Sequence, residues 1–170
     1  NTDFVIYNIP QLAGVALSPS LLRTMLQNPN VVAVKNSSMP VQDIENWRDE
    51  GAIVFNGPDE QLLPGLCGGA VGGIGGTYGA MPQLYLKIYR LFKENKITEA
   101  LQIQDDCRRV IHTLCSAQGN MYAVIKGVLR INEGIDVGGV REPLYNLVPE
   151  DAPIVEAAAK RIKELEEKYL

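Results

Sequence analysis

The chain has 170 residues, a net charge of -4 and 46% hydrophobic content. That size fits one domain, and the acidic balance lacks the basic face that nucleic-acid binding needs. One histidine and three cysteines (Cys67, Cys107, Cys115) with no C-x-x-C pair argue against a metal site or a disulfide framework, so reduced, mostly buried thiols and a cytoplasmic globular protein are expected. No apolar run is long enough to cross a bilayer. The sequence opens on Asn1-Thr2-Asp3 rather than Met, which reads as a processed chain or a piece of a longer one.

In chain order, Phe4-Val5-Ile6-Tyr7-Asn8 reads as a strand stopped by Pro10. Ser18-Pro19 opens a helix, with Ser18 as N-cap, Pro19 in the first turn, and Leu21, Leu22, Met25 and Leu26 as its apolar stripe. A second strand runs from Val31 to Lys35. Pro40 opens a second helix with Val41, Ile44 and Trp47 on one face, and Gly51 ends it. Ala52 to Asn56 is a third strand, Glu60 to Leu66 a short helix interrupted by Pro64, and Ala70 to Gly76 a glycine-rich fourth strand. Beyond Tyr78 the pattern is helical: Pro82 to Glu94, Thr98 to Ala117 with Thr98 as N-cap, Tyr122 to Ile131, and the charged amphipathic stretch Ala152 to Leu170.

Strands alternating with helices predict a parallel sheet with helical crossovers, an α/β fold. Polar or reactive residues stand at each strand's C-terminal end: Tyr7, Lys35, Gly57-Pro58-Asp59-Glu60 and Thr77-Tyr78. In α/β barrels and open sheets alike that end carries the active site. Four strands are too few for a closed barrel, which needs about eight to enclose a filled interior. They read as half of one, or as an open sheet with two edges to cover.

Lys35 follows Val31-Val32-Ala33-Val34 directly. A lysine drawn into such a strand loses hydration, and its free amine can attack a carbonyl. Otherwise it lies just past the strand end, in water. Tyr7, on the adjacent strand, is either a proton-carrying hydroxyl or a core aromatic with a satisfied hydroxyl. Gly72-Gly73-Ile74-Gly75-Gly76 permits close backbone approach to a ligand, and the absence of G-x-x-x-x-G-K-[ST] argues against a nucleotide phosphate there. Ser37 and Ser38 suit either substrate hydrogen bonds or local capping of the next turn. Lys126, in an apolar helix, is the rival amine and is expected to snorkel to the surface; His112 is expected to be structural.

Four segments, Tyr7-Asn8-Ile9-Pro10, Val34-Lys35 with Ser37-Ser38, Phe55-Asn56-Gly57-Pro58-Asp59-Glu60 and Gly72 to Tyr78, together resemble the N-acetylneuraminate lyase / dihydrodipicolinate synthase family in order and spacing. Gly127-Val128-Leu129 and Arg141-Glu142-Pro143-Leu144 extend the match into the tail. The resemblance implies the C-terminal half of a TIM (β/α)8 barrel followed by C-terminal helices. Residues 1–80 would be half-barrel βα units carrying the site, and 81–170 the final barrel helix and the helical region, in one structural domain whose N-terminal half is absent.

It further implies a Schiff-base lyase or aldolase acting on a 2-oxo acid or sugar acid, with Lys35 attacking C2 of a pyruvate-type substrate, Tyr7 moving the proton, and no cofactor or metal. Ser37, Gly57, Asp59, Glu60, Ile74 and Gly75 would line the substrate pocket. Asp59 and Glu60 also suit a helix start, where carboxylates favour the dipole. Leu12, where the synthase branch carries an arginine, speaks for the lyase branch. Gly76, where that branch carries serine, removes a hydroxyl contact to the sugar and leaves another sugar-derived or short 2-oxo acid open. Partners expected are the small-molecule substrate and either a second copy or a complementing N-terminal half, with no nucleic acid or membrane. The alternatives are a half-barrel that folds or assembles without turnover, a synthase-like condensation, and a binding protein that has lost the reaction.

Overall fold

The computed structural model describes residues 2–170. These divide into two compact units, residues 2–75 and 76–170. The first is a four-stranded parallel sheet in the order β1 (Phe4–Asn8), β2 (Val31–Asn36), β3 (Ile53–Asn56) and β4 (Gly72–Gly73). Its crossovers are α2 (Pro19–Met25), α3 (Gln42–Asp49) and α4 (Leu62–Cys67), and β1 is followed directly by the single turn α1 (Pro10–Ala13). Leu22, Val34, Ile44, Trp47, Val54 and Ala70 form a core between the sheet and its helices, with Ile6 packed against it. Alternation along the strands then turns Val5, Tyr7, Lys35, Ile53 and Phe55 to the opposite face.

Several boundaries follow local chemistry that pattern reading underweights. Ser18 caps α2 as expected, its hydroxyl accepting from the Leu21 amide at 3.2 Å, but Leu21 itself points outward and is 41% exposed. The helix expected to open at Pro40 starts at Gln42. The helix expected from Glu60 begins as a 3₁₀ turn, Asp59–Gln61, and becomes α-helical at Leu62. Pro64 therefore falls in the first turn of α4, where a missing N–H interrupts nothing. The fourth strand shrinks from the expected Ala70 to Gly76 to two glycines, which offer no side chains for sheet packing. Backbone bonds from Val71 to Val54 and from Ile74 to Asn56, both 2.9 Å, continue its attachment to β3.

The second unit opens with a 3₁₀ turn, Thr77–Gly79, and contains α5 (Pro82–Lys93), α6 (Ile97–Leu114), α7 (Met121–Glu133) and α8 (Ala152–Tyr169). Leu84, Ile88, Ile103, Val110, Leu114, Val124, Val128, Ile162 and Leu165 are buried in it. α6 starts one residue before Thr98, so that side chain lies inside the helix and caps nothing. Asn120 caps α7 instead, accepting from the Tyr122 amide at 3.0 Å. Asp151, almost fully buried, accepts from the amides of Gln118, Gly119 and Val148, tying the loop before α7 to the start of α8. Burial works against its charge, but these three amides prevail and hold the carboxyl below its usual range.

Asp106 on α6 is the other buried carboxylate of this unit. Arg109 (2.9 Å), Lys168 (3.1 Å), Arg161 (3.3 Å) and the Tyr169 hydroxyl (2.8 Å) surround it and join α6 to α8. Burial pushes its pKa up, but the hydrogen bonds from Tyr169, Lys168 and Arg109 outweigh that and hold it below the ordinary value. The thiols correct the expectation of general burial: none of the three cysteines is in a disulfide, yet only Cys107 is buried. Among the described residues no helix is long and apolar enough to cross a membrane.

Candidate active site

The sheet register decides which side chains meet. Tyr7 pairs with Lys35, Lys35 with Phe55, and Phe55 with Gly72, so one transverse row crosses all four strands on the face away from the helices. Lys35 Nζ lies 4.0 Å from the centroid of the Tyr7 ring. An ammonium over an aromatic face is attracted by the ring quadrupole. The row is only partly enclosed: Tyr7 is 51% exposed, and Lys35 is half-buried rather than sealed in the sheet. A carbonyl carbon brought to the amine would have the phenol one strand spacing away, about 4.8 Å.

The remaining expected residues gather at the strand ends of the same unit. The Gly57 amide donates to Asn36 O at 2.8 Å, and a Cβ at Gly57 would overlap the Ser37 hydroxyl and meet the Asn36 carbonyl carbon at 2.9 Å. Only glycine lets β3 leave the sheet so close to the end of β2. Asp59 is 6% exposed, and its carboxylate packs where a side chain on Gly75 would stand. Glu60 is half-buried in the same 3₁₀ turn, while Ile74, just past β4, is 43% exposed. Three juxtapositions result: Tyr7 with Lys35, Ser37 with Gly57, and Asp59 with Gly75. Ser38 is engaged locally, its hydroxyl 2.6 Å from Asp43 Oδ2 and 2.9 Å from Asn36 Oδ1, which favours the capping reading for that residue.

The rivals separate cleanly. Lys126 Nζ in the helical unit donates to the Gly139 carbonyl, and His112 is exposed in the last turn of α6. Gly76 has a steric reason: a Cβ there would lie 2.5 Å from the Tyr122 ring, so serine would require that ring to move. Two features escaped sequence reading. Phe55 shares the face of Lys35, and Asn8, Asn36 and Trp47 form a polar cluster on the reverse face. Phe55 and the two asparagines were available from period-two alternation, since each asparagine follows a row residue by one position; the Trp47 contact was not, because it comes from α3.

A parallel βα sheet with its reactive residues at the strands' C-terminal ends, followed by a helical unit, is the architecture of part of a (β/α)8-barrel enzyme. The chain belongs to the dihydrodipicolinate synthetase family, whose profile matches residues 1–162. It is 58% identical over 173 aligned positions to the N-acetylneuraminate lyase of Mediterraneibacter gnavus, covering 100% of this chain and 55% of that protein. A solved catalytic-lysine mutant of the Ruminococcus gnavus sialic acid aldolase superimposes with TM-score 0.97 at 57% identity, covering 99% of this chain and 56% of that one. The N-acetylneuraminate lyase of Fusobacterium nucleatum complexed with pyruvate gives TM-score 0.79 at 32% identity, covering 99% of this chain and 54% of that one. The chain spans about half the length of the relatives it matches, and the fold is the expected C-terminal half-barrel with its terminal helices.

Proposed function

We propose that the chain carries the Schiff-base chemistry of an N-acetylneuraminate lyase-type aldolase, with Lys35 as the imine-forming amine. The observation that carries this reading is the Tyr7–Lys35 pairing, which sets an amine and a phenol on one face of neighbouring strand ends. The Lys35 amine adds to the C2 carbonyl of a 2-oxo acid and water leaves. The Tyr7 hydroxyl gives its proton to the departing water; the protonated imine then accepts the electron pair released when the C3–C4 bond breaks, and the Tyr7 phenolate takes the proton from the C4 hydroxyl. Protonation of the resulting enamine at C3 and hydrolysis return the lysine and release pyruvate. Ser37, Ile74 and Gly75 line the carboxylate and imine region in this reading, and Gly57, Asp59 and Glu60 face the sugar hydroxyls. A sialic-acid-type sugar acid is the favoured substrate class because the relatives named above are lyases of that kind.

Borohydride reduction in the presence of pyruvate, followed by intact mass and peptide mapping, tests the first step. A reduced adduct on Lys35 is expected. Mapping to Lys126, or an unmodified chain shown by circular dichroism to be folded, would overturn the assignment. One observation favours assembly with a second component for full turnover. Val5, Tyr7 and Ile53 on the reactive face are about half exposed, at 47%, 51% and 50%. A complementing half-barrel or a second copy that covers this face would desolvate the amine, and activity restored by either partner is the corresponding readout.

A further inference from the structure

Behind the Tyr7–Lys35 row, on the helix side of the sheet, lies a polar cluster in an apolar layer. Asn8 and Asn36 are 5% and 1% exposed, and Trp47 is 2% exposed, beside Val34, Ile44 and Val54. A primary amide buried without partners loses its hydration with nothing in return, so asparagines in such a layer must be bonded. Their partners admit one arrangement. The Trp47 indole N–H can only donate, and it lies 2.9 Å from Asn36 Oδ1. With that oxygen fixed, Asn8 presents Nδ2 to it at 2.8 Å, and Asn8 Oδ1 is left to accept from the Leu17 amide at 3.3 Å. The Ser38 hydroxyl adds a third contact to Asn36 Oδ1.

We propose that this indole-keyed Asn8–Asn36 pair is the positioning device that holds Tyr7 beside Lys35. The proposal rests on the Schiff-base reading of Lys35. Asn8 and Asn36 are themselves register partners, each one residue beyond its row residue and on the reverse face. A one-residue slip of β1 against β2 would separate the amides and turn Tyr7 to the wrong side. The apolar residues discriminate less, because Val and Ile exchange places at little cost. The pairing reflects this: its register shifts between Phe4 and Val5, at the far end of β1, and is regular from Val5 to Asn8. The Ser37 amide bonded to Asn8 O at 2.7 Å closes the ladder at the pinned end.

The test uses the full chain with isotope-labelled lysine. In the parent protein the Lys35 ε-methylene signals are expected upfield of the other lysines, shifted by the Tyr7 ring. Asn36→Leu removes the shared acceptor; the shift should be lost, and borohydride trapping at saturating pyruvate should slow by about tenfold or more with an unchanged half-saturating concentration. Asn36→Asp keeps an oxygen for the Trp47 and Asn8 donors and should restore both. If folded Asn36→Leu retains the parent shift and trapping rate, the proposal is overturned. Should Asn36→Leu fail to fold, Asn8→Asp decides. Its carboxylate opposes Asn36 Oδ1 at neutral pH and becomes a donor once protonated, so the Lys35 shift should return towards the parent position as pH falls. A parent-like shift at every pH would overturn the proposal. A parent chain with the ring-shifted lysine but no pyruvate adduct would overturn the Schiff-base reading alone, and the shift comparison would still decide the positioning claim.

Discussion

Gly72 and Gly75 differ sharply in what an added methyl group would meet. At Gly72 the nearest atom is Phe55 Cδ1 at 3.9 Å, an ordinary contact; at Gly75 the methyl would overlap the Asp59 carboxylate. Gly72→Ala should therefore leave stability within about 0.5 kcal/mol of the parent. Gly75→Ala should destabilise by about 1–3 kcal/mol, because Asp59 must leave its buried position. Denaturant unfolding of the two variants checks the contrast, and equal stabilities would show that the Asp59–Gly75 packing is not tight. The Tyr7–Lys35 pairing was legible in the sequence at this scale, since both residues end apolar runs. The partial exposure of the lysine was not, because burial depends on what covers the face.

Elements were read best where one signal dominated. Ser18-Pro19 fixed the start of α2 because cap and first-turn proline act together. Thr98 misled because cap preference is local, and α6 begins one residue earlier without any side-chain cap. The Asp106 cluster joining α6 to α8 was invisible in sequence, its members lying as far apart as Asp106 and Tyr169. Asp106→Asn should cost about 1–2 kcal/mol rather than more, since Arg109, Arg161 and Lys168 are 61%, 45% and 56% exposed and can rehydrate. The native carboxyl is held below its ordinary value, so its contribution is complete above pH of about 4 and is lost as pH falls through the native value. Parent and variant unfolding free energies should converge over that acid range. A gap that persists at the acid end would assign the effect to packing instead.

For the whole molecule, the strand–helix alternation and the four ordered motifs made the half-barrel legible. The division into two compact units, and the distribution of thiols between them, depended on three-dimensional packing. Cys107 is buried, and burial, with the neighbouring Asp106 charge, pushes its thiol up to about 12, whereas Cys67 and Cys115 are exposed. An aromatic disulfide reagent should therefore label Cys67 and Cys115 rapidly in the native protein and reach Cys107 only after unfolding. Fast labelling at Cys107 would mean that the helical unit opens readily.

Trp47 is the chain's only tryptophan and lies buried in the first unit. Its fluorescence therefore follows that unit alone, while Cys107 sits in the other. The chain without engineered probes thus carries two separate records of unfolding, an emission shift for the sheet and the reactivity of Cys107 for the helices. Coincident midpoints would mark a single cooperative transition, and divergent ones would show the helical unit holding its structure after the sheet has let go, or the reverse.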